Sequence, residues 1–200
     1  IILSGGPSCV LDEGAPLCDA GIFTLGIPVL GICYGMQLTS VLLNGNVAAC
    51  SLREYGRSVV TMDQRDYGLL AGLRDKSFCW MSHTYQVNSL PQGFVSIAHT
   101  DNCPIAAMAN EEKRIYGVQF HPEVTHTEEG RRVLENFLKT ICCLAGDWNM
   151  AAYAELAVAN IRKQVGEGTV LLGLSGGVDS AVAAALLYRA VGRKLTCVYV

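Results

Sequence analysis

Pro28-Val29-Leu30-Gly31-Ile32-Cys33-Tyr34-Gly35-Met36-Gln37 is the stretch on which the reading of this chain turns. An apolar, β-forming run enters Gly-x-Cys-x-Gly, and a helix-favouring segment over residues 34–43 follows, stopped by the C-cap signal Asn44-Gly45. Strand, tight turn and helix in that order make the thiol counterpart of the Gly-x-Ser-x-Gly nucleophile elbow, where flanking glycines permit a strained turn. Such a turn lifts the central side chain clear of the sheet. It also aims a helix N-terminus at the sulfur, which favours thiolate over thiol. Cys33 is therefore a candidate nucleophile. A buried cysteine between two packing glycines has the same pattern, and these ten residues alone leave both readings open.

Outward from the elbow, short apolar runs bounded by Gly and Pro read as strands at residues 1–3, 28–32, 58–62, 78–81, 95–98, 105–109 and 115–120. Strand–helix alternation early and a strand-rich middle later predict an α/β fold, a mixed open sheet flanked by helices. A helix is expected over residues 127–144, with Val133, Phe137 and Ile141, and Leu134, Leu138 and Cys142, on one apolar face. Glu128 and Glu129 would sit in its first turn, at the positive end of the dipole. Residues 143–149, with Gly146, Asp147 and Trp148, read as a break between domains 1–145 and 149–200. The second begins with an Ala-rich helix at 149–165. It continues as strand (169–174), glycine loop, helix (178–191) and strand (194–200), one βαβ unit that opens a parallel sheet.

Composition removes several function classes. Half of the 200 residues are apolar and 16% are charged, which excludes a disordered chain. A net charge of −3 gives no footprint for nucleic acid or an anionic membrane. Residues 20–52 hold no charge, but Pro28, Gly31, Gly35, Gln37, Asn44 and Gly45 break them before a span of about 18 apolar residues can form. Nine cysteines, an odd count without Cys-x-x-Cys, argue against a disulfide framework and a protein metal site, and for reducing cytosol. No secretory leader opens the chain. It starts on Ile1-Ile2-Leu3 and stops on a strand-like run, so it reads as an internal segment of something longer.

A base appears in Ile115-Tyr116-Gly117-Val118-Gln119-Phe120-His121-Pro122-Glu123. In extended chain, residues i and i+2 point to one side, so Glu123 can orient the imidazole of His121. A lone histidine at a strand end is ordinarily a satisfied polar residue; with an elbow cysteine upstream the pattern becomes nucleophile, base and orienting carboxylate. Ser4-Gly5-Gly6-Pro7 follows a strand and offers unobstructed N–H groups, which with that of Tyr34 would hold a developing oxyanion. An ordinary turn is an equal reading of Gly5-Gly6 by itself. Further on, a strand runs into Ser175-Gly176-Gly177-Val178-Asp179-Ser180 and a helix. Two glycines and two serines at a helix N-terminus suit phosphate, and the absence of Gly-Lys-Ser/Thr excludes the Walker loop. A plain helix cap with Asp179 in the first turn is the other reading.

Taken in order, Ser4-Gly5-Gly6-Pro7, Gly31-Ile32-Cys33-Tyr34-Gly35-Met36-Gln37 and Gly117-Val118-Gln119-Phe120-His121-Pro122-Glu123 resemble the class I (triad) glutamine amidotransferases over residues 1–145. The resemblance implies that Cys33 attacks the side-chain amide of glutamine, giving a γ-glutamyl thioester and ammonia. His121 would then move the proton, with Glu123 behind it. It also implies that Gln37, Ser82 and His83 join Gly5, Gly6 and Tyr34 around the substrate. Here the segment reads Ser82-His83-Thr84-Tyr85-Gln86, whereas many relatives have Gly-Asp after the histidine. The second loop, Ser175 to Ser180, resembles that of the PP-loop ATP pyrophosphatases, which implies ATP and Mg²⁺. Mg²⁺ would be held mainly by PP-loop-domain residues, some of them outside this chain.

The order of the two, with Arg53-Glu54-Tyr55-Gly56 and Trp80-Met81-Ser82-His83, resembles the glutamine-hydrolysing GMP synthase family. That implies ammonia delivered to adenylated XMP, with release of AMP and pyrophosphate, in a cytoplasmic homodimer formed through a C-terminal domain absent from this chain. The expectation for these 200 residues is that they do not make GMP and that the lone βαβ unit folds poorly. Other readings stay open: the glutaminase component of another amidotransferase such as anthranilate or aminodeoxychorismate synthase, an NAD synthetase, or a non-catalytic glutamine- or nucleotide-binding module with an inert thiol.

Overall fold

The computed structural model describes residues 1–146 and 149–200, the side chain of residue 151 excepted; Asp147 and Trp148 of the expected domain break lie outside the described residues. The chain divides into two compact units, Ile1–Ala145 and Gly146–Val200.

In the first unit, β1 (Ile2–Leu3), β2 (Val29–Ile32), β3 (Asn46–Met62), β4 (Lys76–Ser89), β5 (Val95–His99), β6 (Ala107–Asn110) and β7 (Ile115–Val118) form one sheet in the order β1-β2-β7-β6-β5-β3-β4. β1, β2 and β7 are parallel neighbours and the remaining pairs antiparallel. This is the mixed α/β sheet that the strand–helix alternation predicts. Every residue of β2, β6 and β7 is buried, which is why these strands read as short uninterrupted apolar runs. Alternation along the strand sends Leu30 and Ile32 to one core with Leu70 and Phe137. Val29 goes to a second core with Met36 and Ile115. Helix α1 (Tyr34–Leu42) follows β2 directly.

β3 and β4 run to 17 and 14 residues, well beyond the apolar runs at 58–62 and 78–81. The remainder of each is partly exposed and carries polar residues such as Arg53, Arg57 and Thr84, so hydropathy alone misses it. Their register also breaks. Ala49 pairs with Tyr85 and Glu54 with His83, so four residues of β3 stand against Thr84 alone. Such a bulge redirects the side chains around it.

The helix expected at 127–144 is shorter and two-part: α2 (Gly130–Glu135) opens into a π-helical turn (Asn136–Ile141), with the N–H of Cys142 donating to the carbonyl of Phe137 at 2.8 Å. Val133, Phe137 and Ile141 are buried, but Leu138 is 37% exposed, so the apolar stripe is narrower than the spacing predicts. Glu128 and Glu129 precede the helix and form ion pairs with Arg57 and Arg74, replacing the expected dipole role.

The second unit holds α3 (Met150–Val165), β8 (Val170–Leu174), α4 (Val178–Val191) and β9 (Leu195–Tyr199), with β8 and β9 parallel. Asn149 caps α3 by accepting from the N–H of Ala152 at 2.7 Å. Arg162 donates to the carbonyls of Ala190 and Arg189, tying α3 to the last turn of α4. Leu171, Val182 and Val198 stay 72%, 53% and 48% exposed, so little apolar surface leaves water in this unit. No helix among the described residues is long and apolar enough to cross a membrane.

Candidate active site

Three adjacent parallel strands end at one edge of the sheet, and each delivers one component there: Gly5-Gly6 after β1, Cys33 after β2, His121 beyond β7. The crevice outside the carboxyl ends of such strands is where open α/β sheets place ligands.

Cys33 sits at φ +50° and ψ −105°, a sparsely populated region for a residue with a Cβ. Its N–H donates to the carbonyl of Val118 at 2.8 Å, and its carbonyl accepts from Met36 and Gln37, both at 3.1 Å. The cysteine itself therefore carries the strain. Neither Gly31 nor Gly35 has a positive φ, so conformational freedom is not their role, contrary to the sequence reading. They permit close approach. A Cβ on Gly31 would lie 2.5 Å from the carbonyl oxygen of Gly35, and one on Gly35 would collide with the carbonyl of Leu3.

The Cys33 thiol donates to the carbonyl of Ser82 at 3.7 Å and accepts from Nε2 of Gln119 at 3.6 Å. The residue is only 5% exposed, yet it lines a cavity of about 330 Å³ with Gly6, Cys9, Gln37, Tyr55 and Tyr85. That volume suits a small metabolite.

His121 lies on a turn after β7, which ends at Val118, so a turn rather than extended chain brings it to Glu123. Its Nδ1–H donates to Oε1 of Glu123 at 2.7 Å. Strand β4 fixes the backbone around it: the N–H of His121 donates to the carbonyl of Trp80 at 3.0 Å. Thr127 Oγ1 accepts from the N–H of Trp80 and donates to the carbonyl of His121. Nε2 is buried with no formed hydrogen bond among the described residues. Nevertheless the His121 pKa is raised to about 9, first by interaction with the sulfur of Cys33, with Glu123 adding and burial opposing. The two observations agree when sulfur and ring lie within interaction range while the thiol proton points at Ser82.

Gly5 packs against both groups: a Cβ there would lie 2.9 Å from Cε1 of His121 and 3.7 Å from Cβ of Cys33. Gly6 lies against the Tyr34 side chain. Tyr34 opens α1, so its N–H has no intrahelical partner.

The other expected substrate contacts are arranged differently. The amide nitrogen of Gln37 is engaged internally, donating to the carbonyl of Tyr85 at 2.7 Å and to Oε1 of Gln119 at 3.2 Å. Its own oxygen is the atom left to face a ligand. Ser82 contributes its carbonyl to the sulfur. His83 is on the cavity wall, but its side chain is 1% exposed and its ring nitrogens face inward. Nε2 is 3.3 Å from Oε2 of Glu54; Nδ1 is 3.1 Å from the carbonyl of Tyr85 and 3.3 Å from Sγ of Cys50. Burial lowers the His83 pKa, and Glu54 counteracts it. Glu54 also accepts from Thr100 at 3.0 and 3.1 Å and from Ser58 at 3.2 Å. Sequence reasoning assigned no role to Gln119 or Glu54. The signal for Gln119 is an amide inside an otherwise apolar run; Glu54 stands in the Arg53-Glu54-Tyr55-Gly56 segment, but its role is not legible there because the bulge opposite Thr84 decides where it points. Burial pushes the thiols of Cys79 and Cys103 up to about 12, which keeps them protonated and unreactive.

The second motif joins β8 to α4 and is open to solvent. Ser175 follows the strand, Gly176 turns the chain at φ +78°, and Gly177 is the N-cap of α4, with Val178 and Asp179 as its first residues. Oγ of Ser180 donates to the carbonyl of Gly177 at 3.0 Å and lies 3.2 Å from Oγ of Ser175. Bare backbone at two glycines, two hydroxyls and a 14-residue helix N-terminus fit a phosphate group.

The class-I glutamine amidotransferase family model matches residues 1–141, and the NAD synthase family model matches residues 151–199. The chain is 56% identical over its whole length to the glutamine-hydrolyzing GMP synthase of Acetivibrio thermocellus and 54% identical to that of Ruminiclostridium cellulolyticum. It spans 39% of the length of each. Among solved structures, a candidate GMP synthase component from Thermoplasma acidophilum aligns with a TM-score of 0.58 at 30% identity, over 68% of this chain and 63% of that one. From the motifs at the sheet edge, the sheet order and the match over residues 1–141, the chain belongs to the class I glutamine amidotransferase family.

Proposed function

We propose that the first unit hydrolyses glutamine and that the ammonia serves ATP-dependent amination of XMP to GMP. The observation that carries the hydrolytic half is the convergence of Cys33, His121–Glu123 and Gly5-Gly6 at the ends of three neighbouring parallel strands. The sulfur of Cys33 attacks Cδ of the glutamine side chain, and the carbonyl oxygen gains negative charge. The N–H groups of Gly5, Gly6 and Tyr34 are the donors available to that oxygen. When the C–N bond breaks, His121 gives its proton to the departing ammonia, leaving a thioester on Cys33. His121, now neutral, takes a proton from water; hydroxide attacks the thioester and glutamate leaves. Glu123 holds the ring by Nδ1 through both steps, keeping Nε2 toward the sulfur. Ser82 and Tyr85 shape the cavity through their carbonyls, and His83 supports that wall.

The synthetic half rests on the loop from Ser175 to Ser180 and on the names of the relatives. Ser175, Gly176, Gly177, Val178, Asp179 and Ser180 would hold the pyrophosphate portion of ATP, whose charge Mg²⁺ neutralises. XMP, homodimerisation and a cytoplasmic location belong to the same proposal. The test of the hydrolytic half is covalent trapping. A glutamine analogue with an electrophilic carbon at Cδ is expected to label Cys33 alone among the nine thiols, with free glutamine protecting it. Label spread evenly over the exposed Cys143 and Cys197 instead would refute it.

A further inference from the structure

We propose that Gln119 stabilises the thiolate of Cys33, a role that rests on the glutaminase reading above. Gln119 follows β7, is wholly buried, and its backbone is fixed by its N–H donating to the carbonyl of Ala106 at 2.8 Å. Its two amide atoms have distinct tasks. Oε1 accepts from Gln37 at 3.2 Å, and Gln37 is anchored in turn on the carbonyl of Tyr85 at 2.7 Å. This fixes which end of the Gln119 amide is nitrogen, because Gln37 Nε2 faces two oxygens and can only donate. Nε2 of Gln119 is thereby directed at Sγ of Cys33, 3.6 Å away.

An N–H donor aimed at sulfur is worth little to a thiol and more to a thiolate, because bonds to charged acceptors are the stronger class. The opposite contact, thiol to the carbonyl of Ser82 at 3.7 Å, works only while the proton is present. Deprotonation turns that carbonyl from acceptor to unfavourable neighbour, and the Gln119 N–H then faces the charge. Acting beside His121, a neutral donor stabilises the sulfur without competing for its proton. The titratable side chains lining this cavity beside Cys33 are Cys9, Tyr34, Tyr55, His83 and Tyr85, and His121, held by Glu123, packs beside Gly5. Gln119 is the neutral side chain that donates to the sulfur among the described hydrogen bonds.

The experiment is site-resolved iodoacetamide labelling of Cys33 by mass spectrometry across roughly pH 5–10 in the 200-residue chain and in Gln119→Met, which keeps the length but removes the donor. The labelling midpoint is expected to rise by about one pH unit, with about a tenfold slower rate on the acid side. An unchanged midpoint in a variant that melts like the parent overturns the inference and leaves the glutaminase reading standing. Slow Cys33 labelling in the parent, no faster than Cys143, overturns both. Should the variant not fold, the parent decides. The side-chain N–H resonances of Gln119 are expected to titrate with Cys33 and to lose that response in Cys33→Ala, and resonances indifferent to pH overturn the inference.

Discussion

Replacing Cys33 by alanine should release the proton that His121 holds so tightly. In the intact chain the imidazole keeps its proton to about pH 9, where an ordinary histidine loses it near 6.5. The gap corresponds to about 3 kcal/mol of preference for the imidazolium. The sulfur is the largest contributor and the Glu123 hydrogen bond adds to it, while burial works against the charge. With the sulfur gone, Glu123 must offset burial alone, and the titration is expected to fall below about 7.5. Because the folded-state value lies above the unfolded one, the imidazolium contributes its full stability below about pH 6.5. That contribution drains away as pH rises through about 9. Ammonia expulsion, which needs the same proton, should decline over the same alkaline window. The assay is a proton NMR titration of the four histidines in parent and Cys33→Ala. A His121 that titrates near 6.5 in the parent, or that ignores the loss of sulfur, would refute the reasoning.

Gly35→Ala should be far worse than a typical glycine change in a helix, because the new methyl would collide with the carbonyl of Leu3, a backbone atom that cannot rotate away. A loss of roughly 3 kcal/mol or more in urea denaturation is expected, and a loss near zero would mean β1 is not held against α1. Glu54→Ala removes the carboxylate from His83, Thr100 and Ser58 together, and a destabilisation of about 2–4 kcal/mol follows from the partners left buried and unpaired. Thermal melting measures it, and a variant as stable as the parent would show the cluster to be dispensable.

The features legible in the sequence are local. The elbow, the glycine pair after β1 and the His121–Glu123 spacing each occupy fewer than ten consecutive residues, and short-range sterics and alternation suffice to interpret them. Even there the physical reason shifted: the cysteine takes the strained backbone and the glycines clear space for Leu3 and for each other. What escaped was set across the fold. His83 looked like a ligand-facing residue until a four-against-one bulge in β3 brought Glu54 under its ring. Gln119 looked like one more strand residue until Gln37, 82 positions earlier, fixed its orientation. The π-helical turn after Glu135 likewise has no hydropathy signature, since Phe137 and Ile141 keep ordinary helical spacing.

Strand β4 touches the chemistry at three points within six residues: the Trp80 carbonyl on the base, the Ser82 carbonyl on the sulfur and the Tyr85 carbonyl on the Gln37 amide. All three are main-chain atoms, so no point mutation along this segment deletes any of them, yet a slide of the hairpin by a fraction of an ångström would detune every one at once. The hairpin thus joins base, nucleophile and the Gln37 amide through one stretch of backbone rather than through three independent side chains.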